Sequence, residues 1–405
     1  MWEERTLGEI AKIYDGTHQT PKYVKEGVPF FSVEHVTANQ FQDTKFISRE
    51  VFETENKRVK LERDDILMTR IGDIGTARLI DWDVEASFYV SLALLKQDST
   101  KFISGFLSTY IHSPYVAREL YRRTIHVAFP KKINLGEIGH CKIHLPTLTE
   151  QRKIASFIGA VDTKISQLSR KRALLEDYKK GCMQQLFSQK IRFKDDSGQN
   201  FPDWEEKRIG DIFTWVNTNS LSRERLSYEG GQVQNIHYGD IHTKFSANFR
   251  QSVELVPYIK DASPDDFRAE LFCQIGDVVI ADASEDYADI GKAIEIVELT
   301  DIPLVSGLHT YIARPCKESV HTGFPGYLLR SAPMRRQIEC IAQGISVLGI
   351  SKKNLEKLNF FLPHPNEQRK IADFLSAIDR KMELVGQELS HARTFKQGLL
   401  QQMFV

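Results

Sequence analysis

Leu145-Pro-Thr-Leu-Thr-Glu-Gln-Arg-Lys-Ile-Ala-Ser-Phe157 recurs as Leu362-Pro-His-Pro-Asn-Glu-Gln-Arg-Lys-Ile-Ala-Asp-Phe374, 217 residues further on. Between 145 and 164, 12 of 20 positions equal their partners. The same offset joins Ile133 to Ile350 and Gly181-x-x-Gln-Gln-Leu-Phe187 to Gly398-x-x-Gln-Gln-Met-Phe404. Upstream, Trp2-Glu-Glu-Arg-Thr-Leu-Gly-Glu-Ile10 matches Trp204-Glu-Glu-Lys-Arg-Ile-Gly-Asp-Ile212 at an offset of 202, so copy two holds about fifteen extra residues in its first half. A repeat on this scale fixes domain organisation before any local pattern does. The chain reads as a globular unit and a long helix, twice: 1–144 and 145–190, a linker at 191–203, then 204–361 and 362–405. The helices are alike and the globular units differ. That contrast suits helices that fit each other or identical partners, and units that each read something of their own.

From about Thr149 to Phe187 apolar residues fall at Ile154, Ile158, Val161, Ile165, Leu168, Leu175, Tyr178, Cys182 and Leu186. Copy two repeats the pattern from Ile371 through Phe395 to Met403. Steps of three and four make this a coiled-coil seam. About 38 residues span roughly 57 Å. Pro146, and Pro363 with Pro365, precede the helices, and Thr149 and Asn366 are the expected N-caps. Arg172 stands in the seam slot that Leu389 fills in copy two. One isolated helix of this kind cannot bury its seam. Two copies in one chain, each after a globular unit, pair most simply antiparallel, with the units at opposite ends of a spacer. The expected fold class is α+β: two mixed α/β units, each followed by a long helix of an antiparallel coiled coil.

Within the units, short strand-like runs such as Val28–Val33, Asp65–Thr69, Phe88–Leu95, Gly276–Ile280 and Ala293–Val297 alternate with helical stretches at Ser104–Leu120 and Gly326–Ile341. The 405 residues balance 54 basic against 54 acidic side chains, with 41% apolar, ordinary globular composition. The longest apolar run, Val90–Leu95 with Ser91 inside it, falls far short of the roughly 20 residues of a membrane span. Five scattered cysteines without a Cys-x-x-Cys fit a reducing cytoplasm, and the start of the chain lacks a secretory signal pattern.

Polar loops are the candidate reading elements. In copy one these are Thr17, His18, Gln19, Thr20 and Lys22, with Arg70; in copy two they are Ser222, Arg223, Arg225, Asn235, His237 and Tyr238. Basic segments precede each helix, with Lys131, Lys132 and Asn134 in one and Lys352, Lys353 and Asn354 in the other. Such side chains can read base edges and neutralise phosphates. Charge does not by itself indicate DNA, since residues 1–144 are net 0 and 201–361 net −6. If the chain reads DNA, its positive charge is focused on one face or a partner grips much of the backbone.

No catalytic or metal-binding constellation is expected. Gly72-Asp-Ile-Gly75 does not continue as a dinucleotide loop, and Gly291-Lys292 lacks the Ser or Thr of a phosphate loop. Pro202-Asp203 lies too close to Glu205-Glu206-Lys207 for a nuclease site, and His237 and His242 are five apart, a poor spacing for one helical face. No Asn-Pro-Pro-aromatic run presents an amino group to a methyl donor.

The doubled architecture, the Trp-Glu-Glu-x-x-Leu/Ile-Gly-Glu/Asp-Ile openings, Thr20-Pro21 with Val28-Pro29, and the repeated Leu-Pro-x-x-x-Glu-Gln-Arg-Lys-Ile-Ala helix starts resemble the specificity subunit of type I restriction-modification systems over essentially the whole chain. The resemblance implies two target-recognition domains reading the halves of an asymmetric bipartite double-stranded DNA target, with the helices as a ruler. It also implies two partner adenine-N6 methyltransferase subunits bringing S-adenosylmethionine, and restriction subunits using ATP and Mg, with no cofactor held by this chain. Glu150, Gln151 and Arg152, with Glu367, Gln368 and Arg369, are the candidate partner-docking residues. A rival reading is a coiled-coil adaptor whose two α/β units bind proteins.

Overall fold

Each Trp-Glu-Glu motif becomes a strand whose return partner lies directly ahead of a long helix. Glu3–Thr6 pairs antiparallel with Lys142–Leu145, and Glu205–Arg208 pairs in the same way with Asn359–Leu362. The motif then turns into a single helical turn, Leu7–Ile10 or Ile209–Ile212, that buries its two apolar ends. Both ends of each globular segment therefore meet where the helix begins.

The computed structural model describes residues 2–316 and 320–404 and divides into two compact units: Met1–Arg170 with Gly386–Val405, and Lys171–Val385. In the first, one sheet runs in the order Ile13–Asp15, Leu92–Leu95, Ile66–Thr69, Ala77–Leu79. A second runs Tyr23–Val24, Lys45–Ile47, Val28–Phe31, Ser87–Phe88. The second unit repeats the plan with Phe213–Val216, Thr310–Pro315, Val278–Ala281 and Ala293–Glu298, then adds a fifth strand, Asn248–Arg250.

The strand Ile66–Thr69 and its counterpart Val278–Ala281 are each entered through a positive-φ residue, Asp64 in one unit and Gly276 in the other. A fully buried aspartate follows in both. Asp65 accepts bonds from the backbone of Glu62 and Gln97 and from Lys96 Nζ at 2.8 Å. Asp277 accepts from Gln274 and, at 2.8 Å each, from Nε and Nη2 of Arg314. A buried carboxylate is tolerable only when paired in this way.

The helical stretches expected at Ser104–Leu120 and Gly326–Ile341 are each two helices, Ser104–Tyr110 and Pro114–Arg123, then Pro325–Leu329 and Ala332–Ile341. The first ends at its C-cap Ile111, and the Ser113 hydroxyl accepts from Val116 N to cap the next, with Pro114 supplying a ready-set φ at its first position. Phe88–Leu95 is also broken, into Ser87–Phe88 and Leu92–Leu95, so that its halves serve different sheets.

The long helices are Leu148–Phe187 and Pro365–Met403. Both are capped two residues before the expected position. Thr147 Oγ1 accepts from Glu150 N, and His364 Nδ1 accepts from Asn366 N, so these two, rather than Thr149 and Asn366, cap the helices. In the first unit Lys396 Nζ bonds Asp162 at 2.5 Å, while Phe404, Leu399 and Leu400 pack with Ile154 and Ile158. In the second unit Lys179 Nζ bonds Asp379 at 2.5 Å, while Leu186 and Phe187 pack with Ile371 and Leu375. The helices are therefore antiparallel within each unit. Asp162 and Lys179 lie 217 residues before Asp379 and Lys396, so one ion pair occurs twice, once in each unit, with the helices' roles exchanged.

Tyr178 and Phe395 depart from the expected seam. They are repeat equivalents and both are exposed. Lys179 and Lys396, one residue on, turn inward to their aspartates. Arg172 is also outside, bonded to Glu176, whereas Leu389 is buried.

Candidate functional site

The Glu-Gln pair that opens each long helix works inside its unit. Gln151 is buried; its Oε1 accepts from Ile103 N at 2.9 Å and its Nε2 donates to Pro146 O. Gln368 does the same with His321 N and Pro363 O. Glu150 accepts from the Trp2 indole at 3.1 Å. Glu367 accepts from Trp204 at 3.0 Å and from Arg192 at 2.8 and 3.1 Å, fully buried. Both tryptophans are covered by the far end of the other copy's helix: Trp2 by Phe404 at a ring distance of 6.1 Å, Trp204 by Phe187 at 6.5 Å. Gln151, Glu367 and Gln368 are thus corrected from docking residues to internal clamps, because their polar atoms are spent on these bonds. Arg152 and Arg369 are exposed on the helix surface, and Glu150 keeps an exposed position.

The polar loops divide in the same way. In the first unit His18, Gln19, Thr20 and Lys22 are exposed. His18 Nε2 lies 2.9 Å from Asp15, and Thr20 Oγ1 3.2 Å from the Tyr89 hydroxyl. Burial would raise the Asp15 carboxyl, yet the bonds from Arg58 and His18 hold it below its usual range. Thr17 is buried with its backbone bridged to Tyr89, so its side chain does not lie on the outer face. Arg70 is buried too. It donates to Val90 O at 2.7 Å and Ile133 O at 3.1 Å, and burial lowers its pKa against the pull of Asp15. Arg70 is therefore a tie between loops and is withdrawn as a base reader. Lys131, Lys132 and Asn134 are exposed.

In the second unit Ser222, Arg223 and Arg225 are exposed. Arg223 reaches buried Asp240 at 2.5 Å and the Tyr228 hydroxyl at 2.7 Å. Lys244 reaches the same two groups, each at 2.8 Å. Two cations and a phenol are thereby fixed around one carboxylate, a rigid donor array on an exposed face. Tyr228 and Lys244 are not among the expected readers, although Lys244, the C-cap of the helix Tyr238–Thr243, stands four residues after Asp240, a spacing that pairs such charges.

Asn235 is fully buried, holding Asn219 Nδ2 at 2.8 Å, and is withdrawn as a reader. His237 is buried as well; its Nδ1 accepts from Gly239 N, and burial pushes its pKa down. Tyr238 is half-buried between the rings of His237, His242 and His309, at 4.5, 5.7 and 5.4 Å. Lys352 lies 5.0 Å over the Tyr311 ring, Lys353 is exposed and Asn354 half-buried. Part of the acidic surplus of this unit is internal, in Asp240, Asp277 and Glu295. Asp261, Asp265, Asp266 and Glu270 form an exposed acidic stretch unsuited to a phosphate backbone. No helix is long and apolar enough to cross a membrane, among the described residues.

Residues 1–177 and 202–392 match the type I restriction modification DNA specificity domain. Over 417 aligned residues the chain is 24% identical to a Methanocaldococcus jannaschii protein named for the type I restriction enzyme MjaX specificity subunit, across 98% of this chain and 92% of that one. The MjaVIII specificity subunit of that organism is 25% identical over 272 residues, 64% of this chain and 60% of that one. The fold is similar to the crystal structure of the type I restriction-modification S subunit from M. genitalium, with a TM-score of 0.64 at 15% identity over 100% of this chain and 96% of that one. With one matched segment for each copy of the repeat, and the two together taking in most of its length, the chain belongs to the family of type I restriction-modification DNA specificity subunits.

Proposed function

We propose that this chain reads an asymmetric, bipartite sequence in double-stranded DNA, one half with each unit, and directs adenine-N6 methylation and restriction by partner subunits. The observation that carries this reading is the repeat itself. Trp2 with Glu150 and Trp204 with Glu367 are the same clamp, and the two Lys–Asp pairs are the same cross-link, whereas the exposed loops share little. Like scaffolds with unlike outer loops suit two readers of different half-sites.

His18, Gln19, Thr20 and Lys22 are the base-reading set of the first unit, and Arg223, Arg225, Tyr228 and Lys244 that of the second, with Lys131, Lys132 and Lys353 on phosphates. Each good bidentate contact discriminates by about 1–3 kcal/mol, so three or four per half supply the ~4–10 kcal/mol between specific and non-specific binding. The paired helices set the separation of the half-sites. Two methyltransferase subunits dock on repeat-equivalent exposed positions, one on the helix surface at Arg152 and one at Arg369, and carry S-adenosylmethionine. Restriction subunits bring ATP and Mg. This chain performs no catalytic step of its own and acts in the cytoplasm.

The test is a gel shift of the chain with its methyltransferase, comparing target and scrambled duplex across salt. Target-selective binding that weakens steeply with salt is expected. Equal binding of both duplexes would remove the reading and favour the adaptor. Turnover by the purified chain alone would contradict its non-catalytic role.

A further inference from the structure

Two loops hold exposed large apolar side chains. In the first unit Val127 is 97% and Phe129 105% exposed; in the second Ile345 is 102% and Val347 57% exposed. The 217-residue offset places 126–130 on 343–347, so the two tips coincide in the repeat although the apolar positions within them do not. Each loop follows a helix, Pro114–Arg123 or Ala332–Ile341, and each is pinned at its base. Ile125 N donates to Lys132 O at 2.8 Å, and Gly72 N donates to Lys131 O at 2.8 Å. Gln343 and Gly349 exchange backbone bonds of 3.0 and 2.7 Å, and Leu348–Gly349 pairs with Ala283–Ser284. The tips are thus held out by a fixed stem.

Single exposed apolar residues are ordinary, but unlike sequences that place apolar side chains at one protruding point of two divergent units call for a shared cause. Two side chains at a tip are too small for a protein interface of about 1,000 Å². They are the right size for a wedge between stacked bases, where one apolar side chain opens a step. Lys131 and Lys132 continue directly from the first tip, and Lys352 and Lys353 follow the second, within reach along the chain of the phosphates flanking an opened step.

We propose that these loops are DNA wedges: Val127 and Phe129 enter a base step in one half of the target, and Ile345 and Val347 enter a step in the other. The inference rests on the DNA reading above. The first wedge acts more strongly, because it carries Phe and has lysines beside it, whereas the stem strand of the second runs into Glu285 and Asp286.

The test uses the full chain with its methyltransferase and a target duplex scanned with 2-aminopurine at steps other than the methylated adenine. Brightening at one step in each half is expected. The V127S/F129S variant should abolish it in one half and the I345S/V347S variant in the other, the former binding its target about tenfold more weakly, with an unchanged salt slope because no phosphate contact is lost. Unaltered brightening in variants that still select the target would overturn the wedges while leaving the DNA reading intact. Loss of methyltransferase pull-down without DNA would also overturn them, by making the tips a protein contact. If the wild-type complex binds scrambled duplex equally well, the DNA reading itself fails. Since these side chains are in solvent, the variants should retain the wild-type unfolding midpoint, which is measured alongside.

Discussion

The helix-bound side of the two units and their loop-bearing side follow opposite rules. At the helix, equivalent residues make equivalent bonds: Gln151 and Gln368 each join a backbone N–H to a proline carbonyl, and Phe404 and Phe187 each seal a tryptophan. Away from it, even a shared task is met differently, with Lys96 neutralising Asp65 in one unit and Arg314 neutralising Asp277 in the other. Where a side chain must bridge two fixed backbone groups, the residue itself is kept. Where only a buried charge must be satisfied, any cation that reaches will serve.

The strongest way to break this comparison is to exchange residues 1–144 for those of another specificity subunit, keeping Trp2 and the apolar seat for Phe404. One half of the methylated motif should change and the other remain, as read by methylation mapping. A change in both halves would show that the loops are not independent of the scaffold.

Next in size are the seals. Phe404→Ala should destabilise the first unit and Phe187→Ala the second, each by about 3–5 kcal/mol, seen as hydrogen-exchange protection lost in one unit only. Similar losses in both units from either change would deny the separateness of the two cores.

Glu295 sharpens the comparison chemically, because copy one has Leu79 at the matching strand position, 216 residues earlier. Burial pushes the Glu295 carboxyl up to about 8, although Gly323 N and Gly326 N both donate to it. In the unfolded chain it returns to its ordinary value near 4.5. Its folded pKa is the higher one, so its contribution to stability is whole below about pH 4.5 and drains away as pH rises to about 8. The unfolding free energy of the second unit, from denaturant titration, should fall over that range by up to a few kcal/mol. Glu295→Leu should lose this slope, along with the two hydrogen bonds.

The smallest expected effects are Gln151→Ala and Gln368→Ala, about 1–3 kcal/mol each, from leaving a backbone N–H without its acceptor. They should match each other within error, and a large inequality would weaken the claim of one scaffold used twice.

Periodicity and self-similarity made the helices, their antiparallel pairing and the two-unit plan legible, because a long seam and a 217-residue echo are properties of the chain itself. The polar residues were harder. Arg70 and Asn235 have the composition of a reading loop, but burial turned their donors inward, and a sequence does not show which side of a loop faces water. Tyr178 and Phe395 keep the seam's rhythm yet lie outside it. The Glu-Gln motif stood out as a signature, but its role depends on residues far away in the chain, Trp2, Ile103, Trp204 and His321.

Phe404 meets Trp2 across a stretch of sequence that takes in both repeats, so the first core cannot finish packing from neighbouring residues alone. Contacts this far apart along a chain are slow to form, because loop entropy is lost before the contact repays it. The strands of the first unit can pair early, but the aromatic site around Trp2, Phe106 and Tyr110 stays open to water until the turns from Gly386 onward dock against it.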